Sequence, residues 1–159
     1  MIKYLGLAML ALSGIFISRE YEKKERKRLF ELSEFIRLFE HIKHKISCFL
    51  SPKSDWLSDF KTESVPISEF LNISRENGLS DAFLSVRDKL SLGSEADALL
   101  RVFSSLGKTY KDGEIALLDG ALSSLSEIQR QLSVECEKNI KTVKVITAAA
   151  ALGLIILLI

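Results

Sequence analysis

The apolar residues of the chain follow two patterns: continuous runs at both ends and regularly spaced positions in between. Residues 1–18, MIKYLGLAMLALSGIFIS, are apolar or weakly polar apart from Lys3, and the terminal run VITAAAALGLIILLI carries no charge. A soluble domain buries only one face of a terminal helix, so it has no use for a helix that is apolar on every face. We therefore predict two transmembrane helices, residues 1–18 and 143–159, around a central domain, residues 19–142.

Both apolar runs are short for a membrane span. Each gives a helix of about 25 Å, against about 30 Å for the hydrocarbon core of a bilayer. Extension of the Lys3 and Lys144 side chains towards the interface, or local thinning of the bilayer, covers this mismatch. A buried core helix remains the alternative for the C-terminal run, because soluble helices also have this length.

The charges beside the two runs predict the side of the membrane on which the central domain lies. The segment REYEKKERKR follows the first run, and Lys138, Lys141 and Lys144 precede the last one. Basic residues close to a span favour the cytoplasmic side. We expect residues 19–142 to be cytoplasmic and both termini to lie outside. A cleaved signal peptide, the alternative at the N-terminus, has its basic residues before the apolar run, the reverse of this order.

The segment that follows the first run predicts one long amphipathic helix. It contains no Gly or Pro from Arg19 to Phe49. Its apolar residues are spaced alternately three and four apart, at Leu32, Phe35, Phe39, Ile42, Ile46 and Phe49. Such a narrow stripe is typical of a helix that packs against another helix. We expect the helix to end at SPKSD, because Pro52 disfavours a helical conformation in the residue before it.

A polar connector and a first short helix come next. Trp56 and Phe60 are the expected anchors of the connector onto the helical bundle. Pro66 suits the first turn of a helix through ISEFLNISREN, and Gly78 is expected to end that helix.

Two further short helices are predicted from their caps. Ser80 is the expected cap of DAFLSVRDKLSL, which Gly93 ends. Ser94, with Asp97 three residues later, is the expected cap of EADALLRVFSSL, which Gly107 ends.

The last helix is expected to begin near Thr109 or Asp112, which together form a capping pattern, and to run to the end of the chain. Its apolar stripe has a mean step near that of a helix and consists of Ile115, Leu118, Leu122, Leu125, Ile128, Leu132, Cys136 and Ile140. We expect the first and last helices to pair antiparallel through their stripes. Since no segment alternates like a strand, the predicted fold is all-α: a cytoplasmic helical bundle between N- and C-terminal transmembrane helices.

Composition narrows the classes of function. The central domain, about 120 residues, is of ordinary size for one domain. The net charge of +1 argues against a nucleic-acid-binding protein, whose basic patch usually dominates its total charge. Cys48 and Cys136 both fall in the predicted cytoplasmic part, where free thiols are favoured over a disulfide.

One cluster of potential metal ligands stands out. His41, His44 and Cys48 form an H-x2-H-x3-C pattern and project from one helix within an arc of about 60°. They lie almost opposite the apolar stripe, beside Lys43 and Lys45, and have no evident fourth ligand. The pattern therefore favours a solvated polar face over a metal site.

The remaining motifs do not predict catalysis. Asp55 and Asp59 lie in a polar connector, where nothing indicates the burial that acid–base chemistry needs. Gly107-Lys108-Thr109 resembles the end of a phosphate loop, but Val102 stands where that loop has a glycine, and a helix precedes it instead of a strand. We predict no catalytic residue, no metal site, no cofactor and no small-molecule substrate.

The order of these segments resembles the stage III sporulation protein AB family of endospore-forming bacteria. The resemblance rests on the N-terminal run, the helix REYEKKERKRLFELSEFIRLFE, the turn FSSLGKTY and the terminal segment EKNIKTVKVITAAAALGLIILLI. It implies a non-enzymatic component of the channel between mother cell and forespore, situated in the outer forespore membrane. Its implied partners are a cytoplasmic secretion-type ATPase and other membrane subunits of the same complex.

We thus expect a membrane platform or adaptor that docks an ATPase and neighbouring subunits. An alternative from another class is a membrane-tethered sensor or signalling adaptor, in which the face formed by His41, His44 and Cys48 reads a metal or redox state. A third possibility is a soluble helical protein whose apolar ends form the core of an oligomer.

Overall fold

A computed structural model describes the backbone of residues 2–49 and 52–158, and the side-chain surroundings of residues 15–48, 52–53, 55–153 and 156. The described residues form five α-helices: α1 (Ile2–Phe49), α2 (Val65–Asn77), α3 (Leu79–Val86), α4 (Glu95–Ser105) and α5 (Lys111–Leu158). Two short 3-10 turns, Lys53–Asp55 and Arg87–Lys89, interrupt the connections, and these parts of the chain contain no strand. The prediction of an all-α fold is confirmed.

The chain divides into two compact units. The end unit consists of Met1–Lys27 and Leu132–Ile159, and the central unit consists of Arg28–Gln131.

In the end unit, α1 and α5 pack side by side and antiparallel. Lys144 Nζ lies 2.7 Å from a carboxylate oxygen of Glu22, and the buried thiol of Cys136 donates to the Glu25 carboxylate at 3.0 Å. Lys144, which follows Cys136 on α5, therefore contacts Glu22, which precedes Glu25 on α1. This order is that of antiparallel helices.

Neither apolar run is recognised as a membrane span in this structure: among the residues that it describes, no helix is long and apolar enough to cross a bilayer. The predicted spans, residues 1–18 and 143–159, include side chains that lie outside the described residues. Both spans stay predictions.

The core of the central unit is a cluster of phenylalanine rings. Phe35 of α1 lies edge-on to Phe70 of α2, Phe83 of α3 and Phe103 of α4, with ring centroids 5.9, 5.6 and 5.9 Å apart. Phe39, one turn along α1, lies 5.1 Å from Phe103. Edge-to-face and tilted rings at these distances attract one another beyond the gain from burial. One helix thus gathers the three short helices around it.

The predicted stripe of α1 is confirmed at every position that the structure describes. Leu32, Phe35, Phe39, Ile42 and Ile46 are buried, whereas the side chain of Phe49 lies outside the described residues. On α5, the buried positions of the predicted stripe are Leu118, Leu125, Leu132 and Cys136, and the other four are half-buried.

The third predicted helix ends earlier than expected, at Val86 instead of before Gly93. Leu90 leaves the helical conformation and is buried, and the N–H of Ser91 donates to the Glu31 carboxylate of α1 at 2.6 Å. This long-range hydrogen bond, together with burial of Leu90, draws the chain out of the helix.

The predicted cap Ser80 is wrong, whereas Ser94 stands at the cap position of α4 as predicted but lacks the expected side-chain bond. Gly78, with φ +84°, precedes the first residue of α3, and Ser80 lies within the helix, hydrogen-bonded to the Ser104 hydroxyl at 3.2 Å. Ser94 makes no side-chain capping bond. The buried Glu95 carboxylate instead accepts the N–H of Gly93 at 2.8 Å.

Replacing Phe35 with Ala should lower the free energy of unfolding of the central unit by about 3–5 kcal/mol, because it opens a cavity among three rings. Trp56 is the only tryptophan and lies in the central unit, so its fluorescence during urea unfolding in mild detergent reports this loss. Phe30→Ala, at an exposed site on the same helix, is the matched control and should cost less than about 1 kcal/mol. Equal losses for the two variants would contradict a core centred on Phe35.

Candidate functional site

A cavity of about 850 Å³ opens in the central unit where α2 and α4 end and α3 begins. Three segments line it: the connector after α1, the junction of α2 and α3, and the turn between α4 and α5. We refer to it as the end cavity.

The floor of the end cavity is apolar. Trp56 and Leu57 come from the connector, and Phe103 and Leu106 from the end of α4. All four side chains are largely buried. The predicted anchoring role of Trp56 is therefore confirmed, and the same residue forms part of a concave surface.

The rim of the end cavity is mainly basic. Lys53, Arg75 and Lys108 line it, against one acidic residue, Asp81. In the described part of the chain, neither Arg75 nor Lys108 forms a salt bridge, and both are exposed. The Lys53 ammonium donates to the carbonyl of Gly107.

The turn between α4 and α5 forms one wall of the end cavity. Gly107 adopts φ +83°, a left-handed conformation that favours glycine. The buried carboxylate of Glu114 accepts the N–H of Gly107 at 2.9 Å, the N–H of Thr109 at 2.7 Å and the Thr109 hydroxyl at 2.9 Å. One side chain from the first turn of α5 therefore fixes the backbone of the preceding turn.

These hydrogen bonds set the ionisation of Glu114. Burial raises the pKa of its carboxyl group, but the N–H groups of Gly107 and Thr109, the Thr109 hydroxyl and the charge of Lys53 outweigh burial and hold the pKa below its ordinary value. Glu114 is therefore ionised near neutral pH, and its hydrogen bonds to the turn are strengthened by its charge.

The predicted helix stop at Gly107 is confirmed, but the predicted capping partner is wrong. Thr109 is bonded by Glu114, and not by Asp112, which is exposed. Because α5 begins at Lys111, the carboxylate that reaches back to Thr109 stands five residues after it instead of three. The sequence does contain this signal, as an acidic residue in the first turn, but the standard spacing favours Asp112.

The same bonds bear on the resemblance of Gly107-Lys108-Thr109 to a phosphate loop. In a phosphate loop the backbone N–H groups point at the ligand. Here the N–H groups of Gly107 and Thr109 both donate to Glu114. They are not free to bind a phosphate group.

The structure does not assemble His41, His44 and Cys48 into a metal centre. His41 is half-buried, with Nε2 3.0 Å from the carbonyl oxygen of Ser58 and its ring 5.6 Å from that of Phe60. His44 and Cys48 are exposed. Among the described residues, no group of three or more His, Cys, Asp or Glu side chains is placed to hold a metal ion. The expectation of a solvated face is wrong for His41, because the connector covers it.

Of the two acids in the connector, Asp59 makes a structural contact. Asp59 forms an exposed salt bridge with Lys45 at 3.1 Å, and the hydrogen bond from Lys45 lowers the pKa of Asp59. A lowered pKa is the opposite of what a general acid at neutral pH requires.

Glu114→Gln should lower the free energy of unfolding of the central unit by about 1–3 kcal/mol at neutral pH, because charge-assisted bonds to the turn are lost. The native pKa of Glu114 is lowered, so this contribution is complete above the ordinary pKa and disappears as pH falls through the native value. The gap between wild type and variant should therefore narrow below about pH 4.5. Urea unfolding at several pH values, followed by Trp56 fluorescence, measures it.

Asp112→Asn is the matched control for that variant, because Asp112 is an exposed acid in the same helical turn. It loses only an interaction with the helix dipole and should cost less than about 1 kcal/mol. A larger loss for Asp112→Asn than for Glu114→Gln would show that the sequence-based capping pattern is correct after all.

Comparison with known proteins gives one match. Residues 3–159 match the model of the family described as stage III sporulation protein AB. No curated protein and no solved structure matches the chain. The match covers essentially the whole chain and agrees with the resemblance seen in its segments. The chain belongs to the stage III sporulation protein AB family.

Proposed function

We propose that the protein is a non-enzymatic membrane platform of the channel complex between mother cell and forespore. Its two apolar ends hold it in the outer forespore membrane, and its central unit docks a cytoplasmic secretion-type ATPase and neighbouring membrane subunits. Membership of a stage III sporulation family supports the place of the protein in sporulation.

The observation that carries the membrane part of this proposal is the exposure of large apolar side chains in the end unit. Phe16 is 66% exposed and Leu152 is 61% exposed. Ile15, Ile17, Val145, Ile146 and Ile156 are exposed as well. Apolar side chains exposed in this number are costly in water and are typical of membrane or protein contact sites.

The charges next to this surface fit a membrane boundary. Lys23 and Arg26 form salt bridges with acidic residues one turn away on α1, and Lys144 of α5 pairs with Glu22. Charged pairs thus begin directly where the apolar segments end. Basic residues at that position favour the cytoplasmic side for the residues that follow.

The end cavity supports the docking part of the proposal. It combines a largely buried apolar floor with a basic rim, the usual construction of an interface centre surrounded by polar groups. One of its walls is the turn that Glu114 holds through hydrogen bonds, so a partner would meet a wall that is already formed there.

The full-length protein should be recovered from sporulating cells in the membrane fraction after carbonate washing, and chemical crosslinking followed by mass spectrometry should recover a secretion-type ATPase with it. Recovery in the soluble fraction, or without such an ATPase in the presence of crosslinker, would contradict the platform.

In the wild type, a C-terminal reporter that is active only in the cytoplasm should be inactive; in Leu152→Arg it should become active, because an arginine at the centre of a span costs about 2.5–3.5 kcal/mol while the N-terminal run still anchors the protein. Leu84→Arg is the matched control: it makes the same change at an exposed site of the central unit and should leave the reporter inactive. An active reporter in the wild type, or the same inactive reporter in wild type and Leu152→Arg, would contradict a span in the C-terminal run.

A further inference from the structure

We propose that the end cavity binds an acidic segment of a partner protein, in which one or two apolar anchor side chains are flanked by carboxylates. This inference rests on the proposed docking role and adds to it the site and the chemical class of the ligand. It follows from the charge, the apolar floor and the rigidity of the cavity.

Charge is the first argument. Several cations elsewhere in the central unit are paired: Arg87 lies 2.6 Å from Asp97, and Lys89 lies 2.5 Å from Glu69. Lys43 and Lys45 likewise pair with Asp119 and Asp59. In the described part of the chain, neither Arg75 nor Lys108 has a carboxylate partner. Lys61 and Arg101 are unpaired among the described residues as well, but of these four only Arg75 and Lys108 lie on the rim of the end cavity.

The end cavity has more positive than negative charge. Its lining contains the unpaired Arg75 and Lys108 together with Lys53, against a single acid, Asp81. Complementary charge on a partner speeds encounter and excludes partners of the wrong sign. A basic partner would bring like charges close to Arg75 and Lys108, and an uncharged partner would provide no negative charge to pair with them.

The floor sets the second feature of the ligand. Trp56 and Phe103 expose little surface, yet their edges line the cavity together with Leu57 and Leu106. The volume of about 850 Å³ exceeds that of a single side chain and admits a short peptide segment. We expect an apolar side chain of the partner to bind to this floor, with charged contacts around it at the rim. Such an arrangement concentrates the binding energy in a few residues.

Rigidity is the third argument. One wall is the turn at Gly107, which Glu114 holds through its three hydrogen bonds. Binding to walls already in place loses little conformational entropy. A short segment can therefore bind measurably without the rest of its parent protein.

The test uses the full-length protein in detergent micelles and a short synthetic peptide in which a Leu-Phe pair is flanked by Asp and Glu. Trp56 is the only tryptophan and lines the cavity, so saturable quenching of its emission localises the peptide to this site. Exchanging the acidic residues for Lys, or Leu-Phe for Ala-Ala, should abolish saturation. A response to the Lys peptide equal to that of the acidic peptide would overturn the assignment of ligand class.

The variant Arg75→Glu/Lys108→Glu should weaken binding of the acidic peptide by about tenfold or more, because two attractive rim contacts become repulsive. Both sites are exposed, so the fold is retained, which thermal unfolding verifies. Lys61→Glu/Arg101→Glu is the matched control, with the same change in net charge at exposed positions outside the cavity. It should bind as wild type does; equal weakening in both variants would leave only non-specific attraction and would overturn the proposal.

The outcome for this site is separable from that for the platform. If the wild-type protein stays in washed membranes and crosslinks to the ATPase while the Arg75/Lys108 variant does so equally well, the site assignment fails and the platform stands. If the acidic peptide binds but the wild-type protein is not in the membrane fraction, the platform fails and the site stands. If the rim variant instead dissociates an oligomer in sedimentation, the occupant is a second copy, and the proposal is wrong.

Discussion

Buried carboxylates that accept backbone N–H groups hold the loops of the central unit. Glu31 binds the N–H of Ser91, and Glu95 binds that of Gly93. Glu114 binds those of Gly107 and Thr109. All three carboxylates are almost completely buried. Burying a polar oxygen is costly unless it accepts a hydrogen bond, so the oxygens that accept these N–H groups confine each loop to conformations that present its N–H groups inward.

Glu95 has a further role at the start of α4. Burial raises the pKa of its carboxyl group, but the guanidinium of Arg28 and the N–H groups of Glu95 and Gly93 outweigh burial and leave the pKa lowered. The contact with Arg28, 2.5 Å long, ties α4 to α1 across 67 residues of sequence. The phenylalanine cluster supplies the attraction between the helices of the central unit. The buried carboxylates fix the conformations of the loops that connect these helices. The end cavity depends on both, because Phe103 of its floor belongs to the cluster and one wall is the turn held by Glu114.

Helical periodicity predicted the elements well where the signal lies within one helix. The α1 stripe is correct at each described position, and Pro66 and Gly78 correctly mark the ends of α2. At α5 the Thr109 cap was assigned to Asp112 because that acid has the standard spacing, whereas Glu114, five residues after Thr109, makes the bond. The early end of α3 and the contact that holds the start of α4 were missed for another reason: Glu31 and Arg28 act on segments some sixty residues away. Spacing along the sequence carries no information about such pairs. The end cavity is likewise formed by three segments distant in sequence, so no motif could indicate it.

The central claim is that the turn beside the end cavity is held in place by Glu114, and amide hydrogen exchange measured residue by residue tests it most directly. In this turn the N–H groups of Gly107 and Thr109 donate to the carboxylate, whereas for Lys108, which stands between them, the described part of the chain shows no such bond. The account predicts slow exchange at Gly107 and Thr109 and fast exchange at Lys108 in the full-length protein at neutral pH. Equally fast exchange at all three amides would contradict it.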